Sequence, residues 1–273
     1  MSAANATAGS PPLTVDALRC EGLTKAFQGV HAVNGAAFEV PEGKITALIG
    51  PNGAGKTTVV NILSGAMSSD SGRVFLGDTE ITNWPAYKIA RQGLLRTFQL
   101  SRELGGLTVL ENLLAAPAVQ AGDSLVNVLF RPGLVRRQER ENAERALELL
   151  EVYRLYRHRD TRARELSGGQ KKLLEIARAV MASPKLLLLD EPMAGVNPAL
   201  IEVIGEYILD LKRSGVTVMM IEHNLGIVEK ICDHVVVLAE GRTLATGSMS
   251  ELRSNTAVVS AYLGEVINAG AAH

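Results

Sequence analysis

Cysteine is scarce in this chain of 273 residues: Cys20 and Cys232 stand far apart and alone. At that separation they match no metal-ligand spacing and build no disulfide framework. Nothing in their use points to an oxidising compartment. Charge of one sign is missing too, with 28 Lys and Arg against 29 acids and a net charge of -1. A domain that grips nucleic acid carries a basic excess, so no nucleic-acid partner is expected. A membrane span needs about 20 apolar residues in a row, whereas the apolar runs here, such as 216–221 and 235–239, have strand length. Residues 1–12 are small and polar and end in Pro11 and Pro12. They lack the basic start and apolar core of a secretory signal and read as a disordered tail. A soluble, cytoplasmic chain is the expectation. What is plentiful is apolar material, 47% of residues, enough for one large core or two small ones.

The stretch 50–58, GPNGAGKTT, fits the pattern G-x-x-x-x-G-K-[ST]. A short apolar run, 44–49, precedes it, and 57–63 begins a helix, which is the strand–loop–helix context the pattern requires. Gly50, Gly53 and Gly55 lack a Cβ, so backbone N–H groups can converge on anionic oxygens. The helix N-terminus adds a partial positive charge. Lys56 reaches toward β- and γ-phosphates, and Thr57 offers Mg²⁺ a hydroxyl. The remaining loop positions, Pro51, Asn52, Ala54 and Thr58, shape the same cradle.

Upstream, 15–40 reads as short strands with turns at Gly22, Gly29 and Gly35. Phe27 is either an adenine-stacking aromatic or a strand core residue. Downstream, 73–76 is a strand with a hairpin signal at Gly77-Asp78, and 85–93 is a short helix. Residues 94–99 return to strand composition. Gln99 ends that run, as a Mg²⁺ or water ligand or simply as a solvated residue. Thr108 and Glu111 form a capping box for a helix over 107–116. Residues 117–138 read as an irregular surface excursion, and 139–152 as an amphipathic helix. The arginines of 154–164 make either a solvated face or a partner contact.

Residues 166–170 are LSGGQ, with Ser167 and Gln170 as a capping box for a helix to about Met181. Gly168 and Gly169 leave that N-terminus bare, so it is either a second anion site or a capped helix and no more. The run 185–192, KLLLLDEP, is apolar throughout and then acidic. Such a strand is buried on both faces, as in a parallel sheet, and ligands bind at its carboxyl end. Asp190 there suits Mg²⁺, and Glu191 suits a general base that deprotonates water. Asn197 caps the next helix, with Pro198 at its first position. After the strand 216–221 come Glu222 and His223. His223 is a γ-phosphate contact or a structural histidine. A hairpin over 233–246 and helical pieces to 264 close the chain.

Taken in order, GPNGAGKTT, FQ, LSGGQ, LLLLDEP and IEH resemble the ATP-binding subunit of an ABC transporter over nearly the whole chain. The resemblance implies an α/β fold, a P-loop NTPase of ABC type. It has a mixed core sheet, an N-terminal antiparallel β portion and an inserted helical subdomain. The ATPase domain would span 13–255, its helical part about 100–164, with an extension over 256–273. Phe27 then becomes the adenine-stacking residue, Gln99 a Mg²⁺ ligand, Glu191 the base and His223 the switch histidine. Lys56 joins them as a catalytic cation, and Thr57 and Asp190 complete the metal set. Ser167, Gly168, Gly169 and Gln170 would serve ATP held by a second ATPase subunit facing head to tail. Implied partners also include membrane permeases and, through them, a solute-binding protein, with the chain on the cytoplasmic side of the inner membrane. Asn197 stands where many members carry aspartate, so a role needing a carboxylate there is not expected. The form A-G-x-N-P, the long 111–139 stretch and the ending AYLGE look like branched-chain amino acid importers. Urea importers and lipopolysaccharide exporters are similar in several of these places. Two rivals are a soluble ABC ATPase and a small-molecule kinase. The first would need a second cassette or a coiled coil, and LSGGQ counts against the second.

Overall fold

A computed structural model describes residues 16–97, 104–117, 120, 122 and 125–261. Sequence assignments that lie outside them include Phe98 and Gln99, the tail 1–12 and residues 262–273 of the C-terminal extension.

Strands β1 (Asp16–Phe27) and β2 (Val30–Pro41) open the chain as one long hairpin. Its turn is Gln28-Gly29, at φ 48° and 86°. Two left-handed residues in succession match the twist of the strands they join. Gly22 and Gly35 were expected to turn the chain as well, and they do not. Pairing passes from Leu23–Ala36 to Thr24–Asn34, skipping Gly35, and slips again between Cys20 and Leu23 around Gly22. Both glycines lie at bulges, where an extra residue with positive φ bends a continuous strand. Strand β4 (Ser71–Leu76) pairs with β1, and β5 (Thr79–Glu80) pairs with β4, giving an antiparallel sheet ordered β2-β1-β4-β5.

The second sheet is the mixed core sheet. Its strands are β3 (Ile45–Ile49), β6 (Leu94–Arg96), β7 (Leu186–Asp190), β8 (Thr217–Ile221), β9 (His234–Ala239) and β10 (Arg242–Gly247). Their order is β10-β9-β3-β8-β7-β6, parallel except for β10. Alternating side chains feed two separate cores. Ile45, Ala47, Leu187, Leu189, Val218 and Met220 join one apolar cluster. Leu48, Leu186, Leu188, Met219 and Ile221 join the other, with side chains from β1 and β2. A strand buried on both faces needs no polar alternation, which is why these segments read as unbroken apolar runs.

Helix α1 (Lys56–Leu63) follows β3 and packs into the second cluster. Helix α2 (Ala86–Gln92) ends at Gly93, whose φ of 102° suits a helix terminus. Helix α3 (Val109–Leu114) starts at the Thr108–Glu111 capping box, with both reciprocal hydrogen bonds in place. The stretch 117–138 is more regular than expected. Helix α4 (Leu125–Phe130) lies within it, and α5 (Pro132–Val152) begins seven residues before the expected start at 139. Pro132 occupies the first turn, where its missing N–H breaks no helix bond. Helices α3 and α5 pack on α6 (Gly168–Met181), and all three contribute to the first cluster.

Helix α7 (Pro198–Arg213) is capped by Asn197, whose Oδ1 accepts from Leu200 N at 2.9 Å. Asn197 thus holds a helix start, a task that needs an oxygen and no charge. Helix α8 (Leu225–Ile231) is capped by Asn224, and α9 (Met249–Arg253) by Ser248. No helix among the described residues is long and apolar enough to cross a membrane.

Candidate active site

Parallel strands bring their carboxyl ends to one edge, so residues that follow different strands meet there. The glycine loop follows β3, Asp190 ends β7 with Glu191 directly after it, and His223 follows β8. Register fixes their heights: Asp190 pairs with Ile221, and Leu48 pairs with Ile221 from the other side.

The loop is wound so tightly that only glycine fits at its ends. A Cβ on Gly50, at φ 150°, would stand 2.1 Å from the Leu238 carbonyl oxygen. One on Gly55, at φ 95°, would stand 2.3 Å from the Ala32 carbonyl oxygen. Gly53, at φ 77°, faces open space. Ala54 and Lys56 point inward and are buried, whereas Asn52, Gly53 and Thr57 are exposed. Pro51 accepts from the Ala54 N–H at 3.2 Å and closes the turn, and Thr58 lies half-buried in α1. The Lys56 ammonium lies within the loop, donating to the Gly50 and Pro51 carbonyls at 2.7 and 2.8 Å. No side chain caps α1, whose first turn starts at left-handed Gly55.

Thr57, Arg96, Thr97, Lys172, Asp190, Glu191 and Ala194 line one cleft of about 400 Å³. Its side chains suit a metal-bound triphosphate. A threonine hydroxyl and an aspartate carboxylate are hard oxygen donors of the kind Mg²⁺ takes, usually alongside substrate phosphates. Glu191 Oε1 lies 3.1 Å from His223 Nε2. Glu191 also has φ 47°, a left-handed conformation unusual outside glycine. Its backbone is held from two sides: its N–H donates to the Ile221 carbonyl at 3.2 Å, and its carbonyl accepts from Lys172 Nζ at 3.3 Å.

The expected residues thus meet in part. Thr57, Asp190, Glu191 and His223 come together. Lys56 is buried in the loop beside Thr57. Phe27 ends β1, remains 44% exposed and pairs with Val30, two residues before the Ala32 that abuts Gly55. At 44% exposed, Phe27 is not the strand core residue of the alternative reading. Ser167 to Gln170 do not line the cleft. Ser167 Oγ accepts from the Gln170 N–H at 3.3 Å, and Gln170 Oε1 accepts from the Ser167 N–H at 2.9 Å. The Gln170 amide also lies 2.9 Å from His158 Nε2. Gly168 faces open space, whereas a Cβ on Gly169 would press Leu200 at 2.4 Å.

Sequence reasoning gave no role to three charged residues here. Arg96 pairs in register with Leu188, so it shares a face with Asp190 two residues on. It donates to Asp190 Oδ2 at 2.6 Å and to Asn61 Oδ1 at 2.6 Å. Lys172 enters from α6. Glu222 is buried, and burial raises its carboxyl pKa against the pull of the Met193, Asn224 and His223 N–H groups. For Arg96 and Glu222 a charge inside or directly beside an apolar strand was the available signal, but the partner lies on or just after another strand.

A cleft at the carboxyl edge of a parallel sheet, with a glycine loop on one wall and two acids on the other, defines a nucleotide-hydrolysing cassette. The family profile described as ABC transporter matches residues 33–194, and the chain belongs to that family. Its relatives include a probable branched-chain amino acid transport ATP-binding protein, LivG, from Archaeoglobus fulgidus, 44% identical and covering 90% of this chain and 95% of that protein. The high-affinity branched-chain amino acid transport ATP-binding protein BraF from Pseudomonas aeruginosa is 42% identical, covering 91% and 98%. A crystal structure of the ADP conformation of an ATP-binding cassette of an ABC transporter superposes with a TM-score of 0.78 at 39% identity, covering 92% and 100%.

Proposed function

We propose that this chain is the ATP-hydrolysing subunit of an importer of branched-chain amino acids. The observation that carries the ATPase reading is Glu191 within 3.1 Å of His223, in one cleft with Thr57 and Asp190. The names of the LivG and BraF relatives support the cargo.

In this reading the loop Gly50, Pro51, Asn52, Gly53, Ala54 and Gly55 cradles the phosphates of ATP through backbone N–H groups. Lys56 turns its ammonium from the loop carbonyls to the phosphate oxygens. Thr57 and Asp190, with Gln99 from outside the described residues, would hold Mg²⁺, which would supply positive charge to the phosphates. Glu191 takes a proton from the attacking water, and His223 orients Glu191 and donates to the γ-phosphate. Phe27 stacks on the base. Ser167–Gln170 are absent from the lining of this chain's own cleft, which supports a role toward nucleotide held by a facing ATPase subunit. The domain is proposed to span 13–255. Its helical part, about 100–164, passes motion to permeases that hold the chain on the cytoplasmic side of the membrane, and a solute-binding protein delivers cargo to them.

Deleting the gene should abolish uptake of radiolabelled leucine, isoleucine and valine. The wild-type chain should restore it, and Glu191→Gln should not. Unchanged uptake in the deletion strain would reject the assigned cargo. Rescue by Glu191→Gln would reject the assigned base.

A further inference from the structure

We propose that Glu222 is a positioning residue, a buried carboxylate that sets where Glu191 and His223 stand. The inference rests on the reading of those two residues given above. Glu222 is 4% exposed, directly after an apolar strand, where an acid is out of place unless something holds it. Among the described residues it is held by backbone N–H groups. Its Oε1 accepts from the Met193 N–H at 3.0 Å. Its Oε2 accepts from the His223 N–H at 3.1 Å and the Asn224 N–H at 3.4 Å.

Those bonds span two loops. Met193 lies two residues past Glu191 on the loop after β7, and His223 opens the loop after β8. Between the same loops run the Glu191 N–H to Ile221 carbonyl bond at 3.2 Å and the Glu191–His223 contact at 3.1 Å. The β7 loop turns sharply here, with Glu191 at φ 47° and the Ala194 N–H donating to the Glu191 carbonyl at 3.1 Å. A left-handed glutamate persists only where its surroundings determine it. Glu222 fixes the backbone on one side of that turn and the histidine backbone on the other.

The chemistry asks for a carboxylate. Ionised, it is acceptor-only, with oxygens on both sides to meet N–H groups from both loops. A glutamine of the same shape would turn an NH₂ group toward a backbone donor and leave at least one buried N–H without an acceptor. The loops then part, and the base and histidine lose their alignment. Nucleotide binding, which uses the loop after β3, is untouched.

Glu222→Gln, Glu191→Gln and His223→Ala would be assayed with the wild type for ATP affinity, kcat, KM and Tm. Glu222→Gln should keep ATP affinity within about threefold and lose about tenfold or more in kcat. The Glu222→Gln/His223→Ala double variant should lose clearly less than the product of the two single losses, because both changes disturb one shared arrangement. Three results overturn the proposal: kcat within about twofold of wild type, KM rising as kcat falls, or losses that multiply in the double variant. Glu191→Gln separates the two failures. If it hydrolyses ATP at the wild-type rate, the assignment of the base has failed. If it is inactive while Glu222→Gln is normal, only the positioning role has failed.

Discussion

Lys56→Ala removes the one cation inside the glycine loop, and the structure bounds its effect. The ammonium is 6% exposed with the rest of its residue and makes two short bonds, at 2.7 and 2.8 Å, to the Gly50 and Pro51 carbonyls. When phosphate is gripped, the same charge turns from carbonyl to phosphate oxygen, a stronger acceptor. Losing one partner of a buried, charged hydrogen bond costs about 2–5 kcal/mol. At about 1.4 kcal/mol per tenfold, ATP should bind tens- to thousands-fold more weakly. Neither Thr57 nor the loop N–H groups can replace the charge. Two loop carbonyls also lose a donor, so Tm should fall, and affinity is to be measured well below the variant's Tm. Titration calorimetry with Mg-ATP reads the loss directly. An affinity within about threefold of wild type, in a folded variant, would refute the reasoning.

Two further perturbations test separate parts of the account. Gly50→Ala places a Cβ 2.1 Å from the Leu238 carbonyl oxygen, so little soluble protein should form, and wild-type yield and Tm would contradict the packing described. Burial pushes the Glu175 carboxyl from its ordinary 4.5 up to about 7, against the opposing charges of Lys172 and Arg178. The folded chain therefore keeps a proton that the unfolded chain releases, and stability falls as pH rises from about 4.5 to about 7. Glu175→Gln mimics the protonated form. It should raise stability at pH 8 by as much as about 3 kcal/mol and change little at pH 5, read by urea melts. Equal effects at both pH values would refute the assignment.

Local chemistry made much of this molecule legible. Caps at Thr108, Ser167 and Asn197 stand where their side-chain oxygens and the following residues place them. The apolar runs before Gly50, Asp190 and Glu222 are strands because both their faces are covered. Legibility failed where one residue type serves two geometries. Glycine at positive φ makes turns and bulges alike, so Gly22 and Gly35 gave a turn signal inside strands. Pro132 punctuates a loop and starts a helix equally well, which hid the first turns of α5. The site showed the same divide. Motifs exposed Lys56, Thr57, Asp190, Glu191 and His223, each identified by its neighbours in the chain. Arg96, Lys172 and Glu222 act on partners 94, 19 and 29 residues away, and only strand order and the packing of α6 bring those pairs together.

The most direct measurement is steady-state phosphate release by Glu191→Gln beside its affinity for Mg-ATP. Glutamine keeps the size and hydrogen bonding of glutamate and loses its basicity. The account predicts wild-type nucleotide binding with release slowed by about 100-fold or more, the scale of a lost general base. Near-normal release would contradict it.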